Sequence, residues 1–270
     1  MNDPIPHARL RSTNTMRLVI ALYLLIGVAH ADCMGVDQTH AQWSAILGRW
    51  VVDGRVDYRG LRGESDPALL TYLASLSGAC GPDYERWTRA ERIAFWINAY
   101  NAFTVRLILD HYPIASIRKI GWLPGAAFRE KFIPMEGLKG GSISLDDIEN
   151  GTLRSALREP RIHFALVCAS RSCPPLRGEA YRGADLDRQL DDQARTFLHD
   201  PAKNRVDAAA KTLYLSSIFQ WFRGDFESAA GSLPSYVARY LDDGTGHLSD
   251  FDIKFLDYDW SLNDRPGGLS

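Results

Sequence analysis

Three kinds of apolar patterning follow one another along the 270-residue chain. Leu18 to Val28 is an uninterrupted apolar run. From Trp43 to Val52 the pattern changes: Trp43, Ile46, Leu47, Trp50 and Val51 recur every three or four residues, the spacing of an amphipathic helix. A second helix is expected around Ala68 to Leu76. A third begins at Thr88, where Thr88 and Glu91 make a capping box, and runs through ERIAFWINAYNAFTVRLILDHY to Pro113. This helix is apolar nearly all round, so it belongs inside a domain with other elements covering several of its faces.

The second half alternates shorter signals. Ser144 and Asp147 offer a capped start for a helix over SLDDIENGTLRSAL. Arg161 to Ala169, RIHFALVCA, is a short apolar run ending in the turn-rich RSCPPLRG, and reads as a buried strand. Leu186, Leu190, Ala194 and Phe197 share one face of a helix that Asp200-Pro201 ends. Arg205 to Leu215 has the pattern of a hairpin. Ser217 and Gln220 cap a short helix carrying Phe219, Trp221 and Phe222, another helix follows Pro234, and alternating Phe251, Ile253 and Phe255 predict a last strand before YDWSLND. There is no repeat and no linker long enough to separate two cores. The expectation is an α+β fold: a single domain with a long buried central helix and a small mixed sheet.

The first apolar run has a different meaning. Arg9, Arg11 and Arg17 precede it and Ala29-His30-Ala31 ends it, the three parts of a cleavable export signal. Eleven residues rise only about 16 Å as a helix, too short for a permanent membrane span. Asp32 ahead of Cys33 argues against lipid attachment. Residues 1–31 are therefore expected to be a signal peptide, begun at Met1 or Met16, and residues 32–270 the globular domain, periplasmic or secreted. The whole chain carries a formal charge of −2. Losing three arginines and Asp3 with the leader makes the remainder more acidic, and no basic stripe is present, which excludes general nucleic-acid binding.

Four cysteines remain: Cys33, Cys80, Cys168 and Cys173. In an oxidising compartment they allow two disulfides in three connectivities. A Cys168–Cys173 bridge would close a short loop, adding roughly 2 kcal/mol, and Cys33 with Cys80 would then tie down the N-terminus.

The segments AFWINAYNAFTV, YPIASI, SLDDIENGTLR, PRIHFALVCASRSCPPLRGEAY, LSSIFQWFRGDF and YDWSLN together resemble the domain of unknown function 547 family, over roughly Trp87 to Asn263. The resemblance implies a shared fold and leaves the activity open, because the family's biochemistry is unsettled. Family members typically have His where this chain has Asn150. Were that His a metal ligand or base, this chain would lack it.

The densest chemistry lies between His163 and Pro175, which hold one imidazole and two thiols. A cysteine nucleophile needs a group that favours its thiolate, and the His that serves it is usually held by a third polar residue. On a strand, His163 and Cys168 would point to opposite faces, so Cys173 is the preferred nucleophile, His163 its base, and Asn98 or Asp259 the orienter. Cofactor-independent hydrolysis or acyl transfer on an amide or thioester is the enzymatic expectation, and its ligand an unidentified small molecule or peptide. The competing expectation is a binding or assembly module in which Cys168 and Cys173 are structural and His163 is a satisfied core residue.

Asn98 and Asn101, three apart on the buried helix, could hold a substrate amide or pin neighbouring backbone. Of Asp146, Asp147 and Glu149, the first two suit a first helical turn, whereas Glu149 stands as a binding candidate with Arg154 in reach. Cys168 and Arg171 complete the candidate binding residues. Trp221, Phe222, Phe226, Tyr258 and Trp260 are core residues or, if several line a groove, a ligand surface. His163, Cys168 and Cys173 lack the paired two-residue spacing of a zinc site, so neither metal nor cofactor is expected. No P-loop, Rossmann fingerprint, HExxH or G-x-S-x-G is present.

Overall fold

The computed structural model describes residues 33, 35–64, 66–241 and 248–265. The expected signal peptide lies outside them. The central helix, Arg89–His111, starts as its sequence demands: Glu91 N–H donates to Thr88 Oγ1 while Thr88 N–H donates to Glu91 Oε2. From Ile93 to Leu109 every residue but Arg106 is buried. Arg106 is held by Asp66 and Asp110. Helix Asp66–Ser77 packs beside it and Ala41–Trp50 packs on that helix, burying Trp43, Ile46, Leu47, Trp50, Leu69 and Leu73. Each large apolar side chain so buried is worth about 1.5–3 kcal/mol. The expected extension of the first helix to Val52 stops at Trp50, because Val51 and Val52 turn into a two-stranded ladder with Val56 and Arg55.

The expected mixed sheet is present. Arg205–Asp207 pairs antiparallel with Thr212–Ser216, which pairs in parallel with Asp252–Leu256, Leu215 lying opposite Phe255. Small antiparallel ladders pair 51–52 with 55–56 and 133–135 with 141–143, and single bridges join Val56 to Asp264 and Ser170 to Leu262. The fold is α+β, as its patterning predicts.

Two elements depart from expectation. Arg161 to Ala169 is not a strand: Pro160–Phe164 forms a 3₁₀ turn and the backbone then runs irregularly to Ala169. Composition favoured a strand, but the backbone groups of Ala165 and Val167 are taken by one side chain instead. The Asn101 amide donates to Ala165 O at 2.9 Å and accepts Val167 N–H at 2.9 Å, satisfying groups that burial would otherwise leave unpaired. The helix starting at Leu145 is α-helical only to Ile148, then widens into a π-helix over Glu149–Leu157, a form often met at functional sites.

Two apolar cores result. One surrounds the central helix. The other is rich in phenylalanine, with Phe164, Phe197, Phe219 and Phe226 packed together. They meet at the 3₁₀ turn, where Ile162 belongs to the first and Phe164 to the second. His163 sits between these two residues.

Candidate functional site

At this junction lies a cavity of about 200 Å³. Tyr100 of the central helix and Glu149 of the π-helix form one side, His163, Cys168 and Cys173 another. Trp221, Phe222, Tyr258 and Trp260 complete the rim. Trp221, Tyr258 and Trp260 contact one another, with ring centroids 4.6 to 5.8 Å apart, and Trp221 remains 47 % exposed.

Cys168 sits on a sharp turn. Ala169, next in the chain, has φ +58°, a left-handed conformation that is costly for a residue with a side chain and must be imposed by its surroundings. The imposing contacts come from both sides. Asn101 fixes the chain before Cys168, and the C-terminal segment fixes it after: Asn263 N–H donates to Ala169 O, Arg171 N–H to Ser261 O, and Ser172 N–H to Asp259 O. Below this loop Gly54, at φ +73°, approaches Pro175 so closely that a Cβ would fall 2.2 Å from the proline Cβ.

The two sulfurs lie 2.8 Å apart as free thiols. Cys168 Sγ also has the Ser170 hydroxyl at 3.1 Å and the Tyr258 hydroxyl at 3.2 Å. Burial pushes the Cys168 thiol up, but hydrogen bonds from Cys173, Ser170 and Tyr258 outweigh it and bring the group to about 7. Burial and the proton shared with Cys168 push Cys173 well above the usual thiol range. Cys168 is therefore the more acidic of the pair, even though its own backbone N–H donates to Cys173 Sγ at 2.8 Å.

A second polar chain ends at the same cavity. Arg154 forks onto Asp225, Nε to Oδ2 at 2.6 Å and Nη2 to Oδ1 at 3.0 Å. Asp225 Oδ2 also lies 2.8 Å from His163 Nε2. Hydrogen bonds from His163 and Arg154 hold Asp225 far below the ordinary carboxylate range, so it is an acceptor only and assigns the imidazole proton to Nε2. Burial lowers His163, which stays neutral. Its Nδ1 lone pair is left buried without a hydrogen-bond partner, 3.7 Å from Glu149 Oε1. Phe222 stacks on the ring at 3.9 Å. Burial, then the charges of Cys168 and Asp146, raise Glu149 to about 7, with Arg154 opposing them.

Glu149, His163, Cys168 and Cys173 thus share one cavity. The remaining candidates do not. Asn98 is fully buried, its amide donating to Tyr181 O at 2.7 Å and accepting Tyr181 N–H at 3.0 Å. Asn101 pins the backbone before Cys168. Asp259 accepts from Ser261 N–H and Oγ and with Arg171 lines a neighbouring surface hollow, which Cys173 also borders. The group that holds His163 is Asp225, not Asn98 or Asp259. Asp225, 62 residues away, lies in the LSSIFQWFRGDF segment of the family resemblance, but nothing in its spacing tied it to His163. The strand-face argument against Cys168 fails because no strand forms there. Cys168 and Cys173 are also not bridged, whereas Cys33 and Cys80 are. Asn150 accepts from Arg154 Nη1 at 2.6 Å. Asp147 is confined to its capping box with Ser144.

Among the described residues one trio brings metal-type ligand atoms within 4.8 Å of one another: Cys33, Cys80 and Asp83. Two of those atoms are already joined in the disulfide. No helix of the described residues is long and apolar enough to cross a membrane.

No curated protein and no solved structure matches the chain. Residues 84–198 match the model of the family described as "Protein of unknown function, DUF547", so the family resemblance is borne out over the stretch that carries the central helix, Glu149, His163 and both free cysteines.

Proposed function

We propose that the protein is a cofactor-independent thiol enzyme acting on an acyl group, an amide or thioester, with Cys168 as its nucleophile. The observation that carries this reading is the Cys168 sulfur: half-buried at the wall of a cavity, reached by three hydrogen-bonding partners and brought to about 7. A thiolate is the attacking form of cysteine. In the proposed cycle the Cys168 thiolate adds to the substrate carbonyl carbon, the C–N or C–S bond breaks, and the Glu149 carboxyl gives its proton to the departing amine or thiol. Water then attacks the thioester on Cys168 while Glu149 takes one of its protons, and the C–S bond breaks to release the carboxylic acid and restore the Cys168 thiolate. The neutral His163, held by Asp225, offers Nδ1 as an acceptor for a substrate or water proton. Because Cys168 must be ionised and Glu149 protonated, the rate is expected to peak near pH 7 and fall on both sides.

The test is acyl trapping. Incubation with a panel of short acyl thioesters and amides, followed by peptide mass spectrometry, is expected to find the acyl group on Cys168. Absence of any adduct across the panel, with Cys168 free, overturns the proposal.

One observation favours a second reading, thiol–disulfide exchange: the sulfurs are 2.8 Å apart, one acidic and one protonated. Exchange needs two sulfurs but not the Arg154–Asp225–His163 chain, which favours the acyl reading. A quantitative Cys168–Cys173 crosslink in functional protein would decide for exchange. Export is part of the proposal, supported by the Arg-flanked leader and the Cys33–Cys80 disulfide, with residues 1–31 as the cleaved portion and 32–270 as one domain.

A further inference from the structure

The loop between Ile120 and Ala126 does something unusual for a soluble surface: Trp122 is wholly exposed and Leu123 is 69 % exposed, beside each other at its tip. The tip is shaped by the backbone. Gly121 has φ +77° and a Cβ there would meet the Ala126 Cβ at 2.5 Å, while Pro124 follows Leu123 and its carbonyl accepts from Arg129 Nη2 at 2.6 Å. The apolar pair is therefore held outward.

Cations flank it. Arg118 and Lys119 precede the tip, and Arg129 and Lys131 follow it, all four exposed; Glu130 is the one acid between Arg118 and Lys131. Arg129 and Lys131 also feel Asp146 and Asp147, so Arg118 and Lys119 carry the clearest excess. This basic rim stands out on a chain of net charge −2. The segments flanking the loop adjoin the cavity: the Arg118 guanidinium lies 5.4 Å over the ring of the rim residue Trp260, and Phe128 lines the wall.

We propose that this loop is a membrane-surface contact, with Trp122 and Leu123 entering the interfacial region of an anionic bilayer and Arg118, Lys119, Arg129 and Lys131 meeting its headgroups. Indole is at home at that depth, and basic side chains near an anionic surface add attraction. A protein partner fits less well. A stable interface buries roughly 800 Å² on each side, and two side chains on a narrow tip fall far short of that.

The test uses the full chain with vesicles of phosphatidylcholine alone or mixed with phosphatidylglycerol. Residues 1–31 contain no tryptophan, so the difference in emission between wild type and Trp122→Phe reports the loop even if the leader itself touches lipid. Trp122 is exposed, and its replacement leaves the core intact. Emission from Trp122 is expected to move to shorter wavelength on phosphatidylglycerol vesicles and hardly at all on phosphatidylcholine. Arg118→Gln and Lys119→Gln are each expected to weaken that response about fivefold, and added salt to reduce it. An unshifted Trp122 on anionic vesicles overturns the proposal. So does a lipid-free dimer in sedimentation that Trp122→Phe dissolves, which would give the surface to a second copy of the chain.

Discussion

The molecule holds two cysteine pairs, and they have opposite fates. Cys33 and Cys80, separated by 47 residues, are joined in a disulfide. Cys33 is exposed and Cys80 nearly buried, just ahead of helix Gly81–Arg86. Cys168 and Cys173, only five apart, are free although their sulfurs lie 2.8 Å from each other. Sequence proximity does not separate the two cases. Closeness in the chain would have favoured a bridge in the second pair, where the Ser170 and Tyr258 hydroxyls lie 3.1 and 3.2 Å from Cys168 Sγ. One pair is joined into the fold, and the other is the pair to which the proposal assigns the chemistry.

The largest effect should come from removing the reactive sulfur. Cys168→Ala is expected to abolish both acyl trapping and rapid alkylation by iodoacetamide at pH 7, while thermal unfolding shows the fold retained. Replacing both Cys33 and Cys80 with Ala should do the reverse. It is expected to destabilise the protein by about 4 kcal/mol, the chain-entropy value for a loop of this length, and to leave Cys168 alkylation unchanged. A variant that lost both properties would show that the pairs are not separable.

Glu149, which shares the cavity with the free pair, is tied to stability. Its folded value of about 7 lies above the unfolded carboxylate range, so its contribution is fully present below pH about 4.3 and is lost as pH rises through 7. Glu149→Gln is expected to remove that decline and make the variant more stable than wild type at pH 8, by about 4 kcal/mol at most. Denaturant unfolding across this range checks it. Cys173→Ala is expected to slow Cys168 alkylation at pH 7 about tenfold, as the thiol returns toward its ordinary value. The smallest effect belongs to Asp259→Asn. Because Asp259 bonds Ser261 rather than His163, alkylation should stay unchanged, and a large loss would restore it as an orienter.

Legibility in the sequence followed locality. The central helix, its Thr88 cap, the Arg205–Leu215 hairpin and the last strand were readable because period and capping are local properties. The site was readable in part: Glu149, His163, Cys168 and Cys173 were marked by residue type and do meet at one cavity. Which sulfur is the acidic one was not readable. That depends on Tyr258, 90 residues from Cys168, and on Asn101, which captures the backbone that would otherwise have suited a strand. Nor was the partner of His163: Asp225 is brought in by the phenylalanine-rich core, in which Phe226 packs edge-on against the imidazole at 5.4 Å.

The sequence by itself determined the buried helix, the α+β class and the concentration of nucleophilic residues around His163, since hydrophobic periodicity and residue chemistry act over a few positions. The tertiary structure decided which of those residues became acidic, which were pinned and which cysteines were joined. Hydrogen bonding and desolvation act through space at a few ångströms, and only the folded chain brings Tyr258, Asn101 and Asp225 within that reach.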